Sequence, residues 1–344
     1  MPGRLFLRFL LPTVWKLFVW VVWVLAIGLL VALVGVPRCL GAESVPDFLQ
    51  TVSVTVLAES TEGKVAGSGV LVSRAVDGEA VTYVWTAAHV VFPLREKKYV
   101  IAPDGKKPPA SDYKDAWIVR VETQNGRAVG ESRMLCRVMR VSLREDLAVL
   151  EVRKRGFSTA SIRLYTEKQH PGIGQDVYHV GSFLGVAGAN SMSSGIVSQV
   201  GRLIDELEYD QMNASMFPGS SGGGVFLRDG RYIGMGTRAA GETFSLYIPL
   251  RRIRAWAEKA KVLWALDATV PVPKKEERDA LGVEDGSEPR PSDLRENPMR
   301  HRDVLRALLE FPYYESRIDF PRVWYLTGDA PRLHALQSRS AAGN

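Results

Sequence analysis

The stretch Pro218-Gly219-Ser220-Ser221-Gly222-Gly223-Gly224 runs directly into the apolar residues Val225-Phe226-Leu227. A serine between glycines at the start of a buried strand has the surroundings that a nucleophile needs, because glycines allow a tight turn and leave space around the hydroxyl. Successive backbone N–H groups of such a turn can point into one small space and stabilise an oxyanion during acyl transfer. A glycine-rich hairpin turn without catalytic function is the alternative interpretation of this stretch taken alone.

A serine hydroxyl needs a general base, and the base needs a group that orients it. Candidates lie in two upstream stretches, Tyr83-Val84-Trp85-Thr86-Ala87-Ala88-His89-Val90-Val91 and Arg144-Glu145-Asp146-Leu147-Ala148-Val149-Leu150-Glu151-Val152. His89 follows an apolar strand and two small residues, and Asp146 stands at the head of another strand. Each alone is more typical of a strand end or a turn. The order His89, Asp146, Ser221, each in its local context, predicts a catalytic triad.

Together these stretches resemble the chymotrypsin-fold serine peptidases, and within them the HtrA/Deg branch. The resemblance also rests on Gly67-Ser68-Gly69-Val70-Leu71-Val72, Ser193-Ser194-Gly195-Ile196-Val197-Ser198 and Tyr247-Ile248-Pro249. It covers roughly residues 50–258. The sequence departs from the branch at the C-terminal end, where it has no PDZ-like pattern of short strands with a Gly-Leu-Gly-type loop.

The resemblance implies a role for each candidate residue. Ser221 attacks the peptide carbonyl, His89 transfers the proton, and Asp146 orients the imidazole. The N–H groups of Gly219 and Ser221 form the oxyanion hole, and Thr237 matches a position whose hydroxyl helps to hold the aspartate. No cofactor and no metal are expected, since the histidines lack metal-ligand spacing. The expected partners are protein or peptide substrates, and the family suggests a homo-oligomer, a trimer.

The substrate pocket expected from the resemblance is small, neutral and partly apolar. Ser215, six positions before Ser221, lies at the pocket base in related folds, with Met216 beside it. No carboxylate is present there to pair with Lys or Arg, and Gly236 stands where glutamyl-specific relatives have a histidine. The remaining pocket residues are Thr237, Arg238 and Ala239. We therefore expect cleavage after Val, Ala, Ile, Leu or Thr, with Arg238 favouring acidic residues in neighbouring subsites.

Three other residues compete for the catalytic roles. Ser220 adjoins the expected nucleophile, but only Ser221 has the Gly-x-Ser-Gly-Gly frame. His179 lies in the middle of a predicted strand, which favours a structural role. His170 precedes Pro171 and is expected in a loop.

Many short segments with apolar periodicity and intervening turn signals predict an all-β fold. That pattern fits a barrel or a sandwich, and the resemblance implies a trypsin-like peptidase domain over residues 51–258, built from two six-stranded antiparallel β-barrels at about 51–155 and 160–250. Residues 43–50 are predicted to be a tether and residues 93–115 an exposed charged loop. A helix over Leu250–Ala265 is expected to close the domain.

Residues 1–42 are predicted to be a membrane anchor or a signal sequence. The run from Leu17 to Val36 has no charged residue, and a helix of about 20 apolar residues spans the hydrocarbon core of a bilayer. Basic residues precede the run, which predicts a transmembrane helix with the peptidase domain on the extracytoplasmic side, periplasmic or extracellular. A signal cleaved near Ala42, giving a secreted protein, is the alternative.

The composition excludes some other classes. A hydrophobic fraction of 46% can supply a sizeable core, and the net charge of +6 is dispersed, so that nucleic acid is not an expected partner. The two cysteines, Cys39 and Cys136, do not indicate a disulfide framework.

After the closing helix the composition shifts to Pro, Glu, Lys, Asp and Gly, which predicts a disordered linker over residues 267–298. Residues 299–344 are expected to form a small, partly helical C-terminal extension. Two alternatives to an active enzyme stay open. One is a catalytically silent peptidase fold that serves as a scaffold, and the other is a membrane-anchored sensor whose proteolysis is secondary to ligand binding by the extension.

Overall fold

The computed structural model describes residues 44–60, 63–99, 109–124, 127–241 and 243–287, together with Trp20 and Trp23. The predicted membrane segment, apart from these two tryptophans, and the predicted extension at 299–344 lie outside the described residues. Within the described part of the chain, no helix has both the length and the apolar character that crossing a membrane requires.

The described chain is built mainly from β-strands. In order they are β1 (Ser53–Ser60), β2 (Gly63–Val76), β3 (Glu79–Thr86), β4 (Arg95–Tyr99), β5 (Pro109–Tyr113), β6 (Ala116–Gln124), β7 (Arg127–Ser142), β8 (Leu147–Val152), β9 (Arg163–Leu164), β10 (Asp176–Phe183), β11 (Gly188–Ile204), β12 (Leu207–Met212), β13 (Gly224–Leu227), β14 (Arg231–Ala239) and β15 (Ser245–Pro249). The α-helices are α1 (Val45–Thr51), α2 (Ala88–Val91), α3 (Leu250–Lys259) and α4 (Lys275–Asp279).

The first barrel is a closed ring of antiparallel strands in the order β1, β2, β3, β8, β7, β6. Closure leaves no free strand edge, and the inward apolar side chains fill the interior. The large buried residues on the inner face include Leu71, Val84, Ile118 and Leu150. β3 pairs with β8 so that Thr86 lies opposite Ala148. This pairing brings the residues after β3 next to the residues before β8.

The second barrel is also a ring. Its strands follow the order β13, β10, β11, β12, β15, β14, and pairing of β13 with β14 closes it, while the two-residue β9 adds to β14 in parallel. The predicted pair of six-stranded barrels is thus confirmed. The turn from 218 to 223 enters β13, and the end of β14 lies beside it.

The helix α3 follows β15 directly and closes the two-barrel body. Its apolar positions Leu250, Ile253, Trp256 and Ala257 are buried, as the helical spacing of these residues predicts. The Trp256 ring packs edge-on against Trp85 of the first barrel, with 5.8 Å between centroids. The helix ends at Lys259, earlier than the predicted Ala265, and a 3-10 turn occupies Leu263–Ala265.

Residues 267–287, named the C-terminal strap from this point, differ from the linker predicted for 267–298. They pack on the first barrel, where Glu284 forms a parallel bridge with Val141 at the end of β7. The apolar residues Val270, Val272, Leu281 and Val283 lie against the barrel core. These four apolar residues are scattered through a polar sequence, so the average composition of the segment does not reveal that it packs on the barrel. Residues 288–298 lie outside the described residues.

Two shorter segments also differ from the prediction. The expected tether at 43–50 contains α1, whose Phe48 and Leu49 are buried. The expected loop at 93–115 contains the two strands of a hairpin, β4 and β5.

Candidate active site

His89 lies in the single-turn helix α2, immediately after β3. Ala87 and Ala88 are buried and small, which lets the chain turn close against the barrel and leaves the histidine half-buried at its rim. His89 Nδ1 lies 3.0 Å from Asp146 Oδ1 and 3.1 Å from Oδ2. The backbone N–H of His89 donates to the same Asp146 Oδ1 at 3.1 Å.

Asp146 occupies the turn between β7 and β8 and is 1% exposed. Besides the two groups of His89, it accepts a hydrogen bond from Thr237 Oγ1 at 2.6 Å. A buried carboxylate is costly unless donors satisfy it, and these three contacts supply donors from both barrels. With Nδ1 donating to the carboxylate, His89 Nε2 is left as the acceptor nitrogen that a general base requires.

The turn before β13 depends on two glycines in the left-handed region, Gly219 with φ +93° and Gly222 with φ +91°. A Cβ on Gly219 would collide with the carbonyl oxygen of Ser182, and one on Gly222 with that of Ser68. The backbone can therefore follow this path only with glycine at both positions.

Hydrogen bonds from both barrels fix the turn. Ser68 of β2 donates its N–H to the carbonyl of Ser221 at 2.7 Å and its hydroxyl to the carbonyl of Gly219 at 2.6 Å. Leu184 donates its N–H to the carbonyl of Pro218 at 2.7 Å. Within the described residues, no protein group accepts a hydrogen bond from the N–H of Gly219 or of Ser221. Two N–H groups at this turn are thus available for an oxyanion.

The Ser221 hydroxyl donates to the backbone carbonyl of Thr237 at 3.1 Å. Among the hydrogen bonds of the described residues, none joins Ser221 to His89. Thr237 therefore contacts the serine through its carbonyl and the aspartate through its hydroxyl. Ser220, by contrast, is fully buried, and its oxygen accepts from the N–H of Phe217 at 3.0 Å.

Met216 and Gly236 adjoin each other at the expected pocket. A Cβ on Gly236 would lie 2.8 Å from Met216 Cε, so the missing side chain of Gly236 leaves the space that the methionine occupies. Met216 is 5% exposed. Ser215 is half-buried, and its carbonyl accepts from the hydroxyl of Ser193 at 2.8 Å.

Arg238 and Ala239 follow Thr237 at the end of β14. Ala239 is half-buried, whereas Arg238 is only 6% exposed. The Arg238 guanidinium lies 3.6 Å from the carboxylate of Asp205 and packs over the Tyr209 ring at 5.4 Å. Its charge already has a partner in this chain, which weakens the expectation that it favours acidic substrate residues.

The two other candidate bases occupy different environments. His179 is fully buried in β10, with Nδ1 3.1 Å from the carbonyl of Gly224, and burial lowers its pKa to about 4. It is therefore neutral at physiological pH, and its ring lies next to the backbone of the turn before β13. His170 is exposed and precedes Pro171.

Two residues that hydrogen-bond to the backbone of the site, Ser68 and Arg252, were not predicted from the sequence. The role of Ser68 as a double donor was not predicted, although its position between Gly67 and Gly69 indicated a close backbone approach. Arg252 was also missed. It donates to the carbonyl of Glu145, the residue before Asp146, at 2.7 Å. An arginine in an amphipathic helix carries no signal of such a contact.

Residues 67–235 match the family described as trypsin-like peptidase domain. No protein among the curated proteins compared matches the chain.

Among solved structures, the chain is similar to the serine endoprotease from Yersinia pestis, at 22% identity and a TM-score of 0.44 over 63% of this chain and 66% of that one. It is also similar to Deg5, at 20% identity and a TM-score of 0.45 over 61% of this chain and 89% of that one. The HtrA-type protease AlgW, solved with a tripeptide, aligns at 14% identity and a TM-score of 0.46 over 64% of this chain and 61% of that one. The chain thus spans less than two thirds of the length of the Yersinia and AlgW proteins.

Proposed function

Because residues 67–235 form a trypsin-like peptidase domain, we propose that the protein is a serine endopeptidase that hydrolyses peptide bonds through an acyl-enzyme on Ser221. One observation carries the proposal. The Asp146 carboxylate accepts from both His89 Nδ1 and Thr237 Oγ1, and the carbonyl of the same threonine holds the hydroxyl of Ser221. His89, Asp146 and Ser221, the residues proposed as base, orienting carboxylate and nucleophile, are thus linked by the hydrogen bonds of Asp146 and Thr237.

Acylation begins with the Ser221 hydroxyl. Rotation about its Cα–Cβ bond exchanges the carbonyl of Thr237 for Nε2 of His89 as the acceptor. As Oγ bonds to the substrate carbonyl carbon, Nε2 takes the proton, and Asp146 stabilises the resulting imidazolium. The developing oxyanion accepts from the N–H groups of Gly219 and Ser221. The tetrahedral intermediate then collapses, His89 gives its proton to the leaving amine, and the C–N bond breaks.

Deacylation repeats these steps with water. His89 takes a proton from a water molecule as the water oxygen bonds to the acyl carbon. The second tetrahedral intermediate uses the same two N–H groups. Its collapse breaks the bond to Ser221 Oγ, which regains the proton from His89, and the carboxylic acid product leaves.

For the substrate, we propose exported or misfolded proteins cut after small aliphatic residues. Support comes from Met216, which fills the space beside Gly236 at the position where the resemblance expects the substrate pocket. Neither Ser215 nor Met216 carries a charge that could pair with a charged substrate side chain. A buried unpaired charge is strongly disfavoured.

For the location, we propose a membrane-anchored protein with its peptidase domain on the extracytoplasmic side. The support is the charge-free run from Leu17 to Val36 with its basic flank. Alkaline carbonate extraction of membranes should leave the protein in the pellet. A mature N-terminus mapped near Ala42 or Glu43 would instead establish a cleaved signal.

A fluorophosphonate tests the catalytic proposal, because it reacts with an activated serine and not with an ordinary hydroxyl. We expect labelling of the purified full chain at Ser221, together with cleavage of denatured casein. Ser221→Ala should abolish both, and Ser220→Ala should retain both. Wild-type protein that is folded but neither labelled nor active would support the silent-scaffold alternative.

A further inference from the structure

The backbone at Asp146 adopts a conformation that needs support. Its φ of +58° lies in the left-handed region, which few residues other than glycine occupy, although aspartate enters it more readily than most. Such a conformation persists when the surroundings fix it. The orientation of the peptide plane between Glu145 and Asp146 determines this φ angle. A group that fixes the Glu145 carbonyl therefore also fixes the direction in which the Asp146 side chain points.

Arg252, the third residue of α3, holds that carbonyl. Its Nη2 donates to the Glu145 carbonyl at 2.7 Å, and its Nε donates to Glu145 Oε2 at 2.8 Å. The guanidinium therefore hydrogen-bonds to both the backbone and the side chain of Glu145, the residue before Asp146.

The rest of the guanidinium is fixed by the second barrel. Nη1 of Arg252 donates to the carbonyl of Glu208 in β12 at 2.8 Å, and the group packs over the Tyr209 ring at 4.6 Å. The Arg252 side chain is 9% exposed, so water competes little for these bonds. All three nitrogens are used, and they join the Asp146 turn of one barrel to a strand of the other. A lysine ammonium lacks the planar fork that such an arrangement needs.

We propose that Arg252 is a positioning residue for the triad: by fixing the peptide between Glu145 and Asp146, it aims the Asp146 carboxylate at His89 Nδ1. This inference rests on the proposed peptidase function. The carboxylate must meet His89 and Thr237 at hydrogen-bond distance simultaneously, and a displacement of about 1 Å in such a site can lower turnover about 100-fold. Arg252 contacts neither substrate nor the reacting atoms, and it acts through the backbone of Asp146.

Steady-state kinetics of three full-chain variants on one peptide substrate test the proposal. We expect Arg252→Gln to lower kcat about 10- to 100-fold, with KM within about threefold of the wild type. Arg252→Lys, which keeps the charge without the fork, should also lower kcat. The control is Arg254→Gln on the same helix, because Arg254 pairs with Asp267 at 2.8 Å and lies outside the Glu145 contact. Its kcat should stay within about twofold of the wild type.

A spectroscopic measurement separates positioning from a general structural role. The proton shared by His89 Nδ1 and a carboxylate gives a low-field ¹H NMR signal, which we expect in the wild type and in Arg254→Gln. The signal should be lost or broadened in whichever Arg252 variant keeps a wild-type circular dichroism spectrum. A folded Arg252 variant with unchanged kcat or an unchanged low-field signal would overturn the proposal. Wild-type protein without fluorophosphonate labelling would instead remove the peptidase function, while the NMR comparison would still decide whether Arg252 positions Asp146.

Discussion

Thr237 donates its hydroxyl to the carboxylate of Asp146 at 2.6 Å, across the junction between the two barrels. Both groups are buried, so removal of the donor takes one short hydrogen bond away from a buried carboxylate. We expect Thr237→Val to destabilise the fold by about 1.5–3 kcal/mol and to lower kcat about 10- to 100-fold, because a hydrogen bond to a charged group contributes this much. Urea unfolding and peptide hydrolysis measure the two effects.

Thr237→Ser is the matched control, since it keeps the hydroxyl and loses only a methyl group. It should retain most of the activity. Equal losses in the valine and serine variants would mean that packing of the methyl group, and not the hydrogen bond to Asp146, accounts for the effect.

The candidate catalytic residues could be identified from the sequence because each lies in a short stretch with its own chemistry. The left-handed glycines around Ser221, the small residues before His89 and the turn that carries Asp146 are all local features of the chain. The adjacency of β3 and β8, which brings His89 to Asp146, belongs to the barrel topology that the family resemblance implies.

Contacts made by distant residues without a motif could not be predicted. Arg252 lies more than 100 positions after Glu145 in the chain, and only the folded structure brings them together. The C-terminal strap was assigned to a linker because residues 267–298 are enriched in Pro, Glu, Lys, Asp and Gly. Its burial depends on a few apolar residues such as Leu281 and Val283, and on the pairing of Glu284 with Arg95, which no local pattern reveals.

The triad itself gives the largest expected effects. Ser221→Ala or His89→Ala should lower kcat by about five to six orders of magnitude, and Asp146→Ala by about four, because the serine and histidine act as a unit in each proton transfer. Active-site titration and initial rates on a peptide substrate measure these losses.

Ser220→Ala serves as the neighbouring control. The Ser220 hydroxyl is fully buried and bonds within its own turn, so we expect activity within about tenfold of the wild type. An inactive Ser220→Ala protein beside an active Ser221→Ala protein would show that the nucleophile has been assigned to the wrong serine.

Asp285 of the C-terminal strap should make the stability of the fold depend on pH. Burial by itself raises the pKa of this carboxyl, but hydrogen bonds from Ser287, Ser142 and Trp256 outweigh burial and hold the pKa below its ordinary value. A carboxyl with a depressed pKa in the folded state stabilises the protein above its unfolded pKa of about 3.9. That contribution is lost as the pH falls through the folded value.

We therefore expect Asp285→Asn to lower the free energy of unfolding by about 1–3 kcal/mol near pH 7, with the difference shrinking below about pH 4. Urea titrations followed by tryptophan fluorescence at several pH values measure this difference in the free energy of unfolding between Asp285→Asn and the wild type. Asp176→Asn is the surface control, since Asp176 is half-exposed and forms one 3.3 Å pair with Arg228, and its effect should stay under about 1 kcal/mol. A difference for Asp285→Asn that does not change with pH would contradict the assigned charge.

We expect the volume of Met216 to determine which side chain is accepted immediately before the scissile bond. Mass-spectrometric mapping of cut sites in denatured casein should give mainly Val, Ala, Ile, Leu and Thr at that position.

Met216→Ala removes the side chain that lies against Gly236 and should shift cleavage towards larger apolar residues, by roughly 10- to 200-fold per methylene accommodated. Gly236→Ala is the opposite change, because its new methyl group meets Met216 and crowds the same space, and it should disfavour the larger of the aliphatic residues. Predominant cleavage after Lys, Arg, Glu or Asp would contradict a neutral pocket, since a charged side chain would then need a partner that neither Ser215 nor Met216 provides.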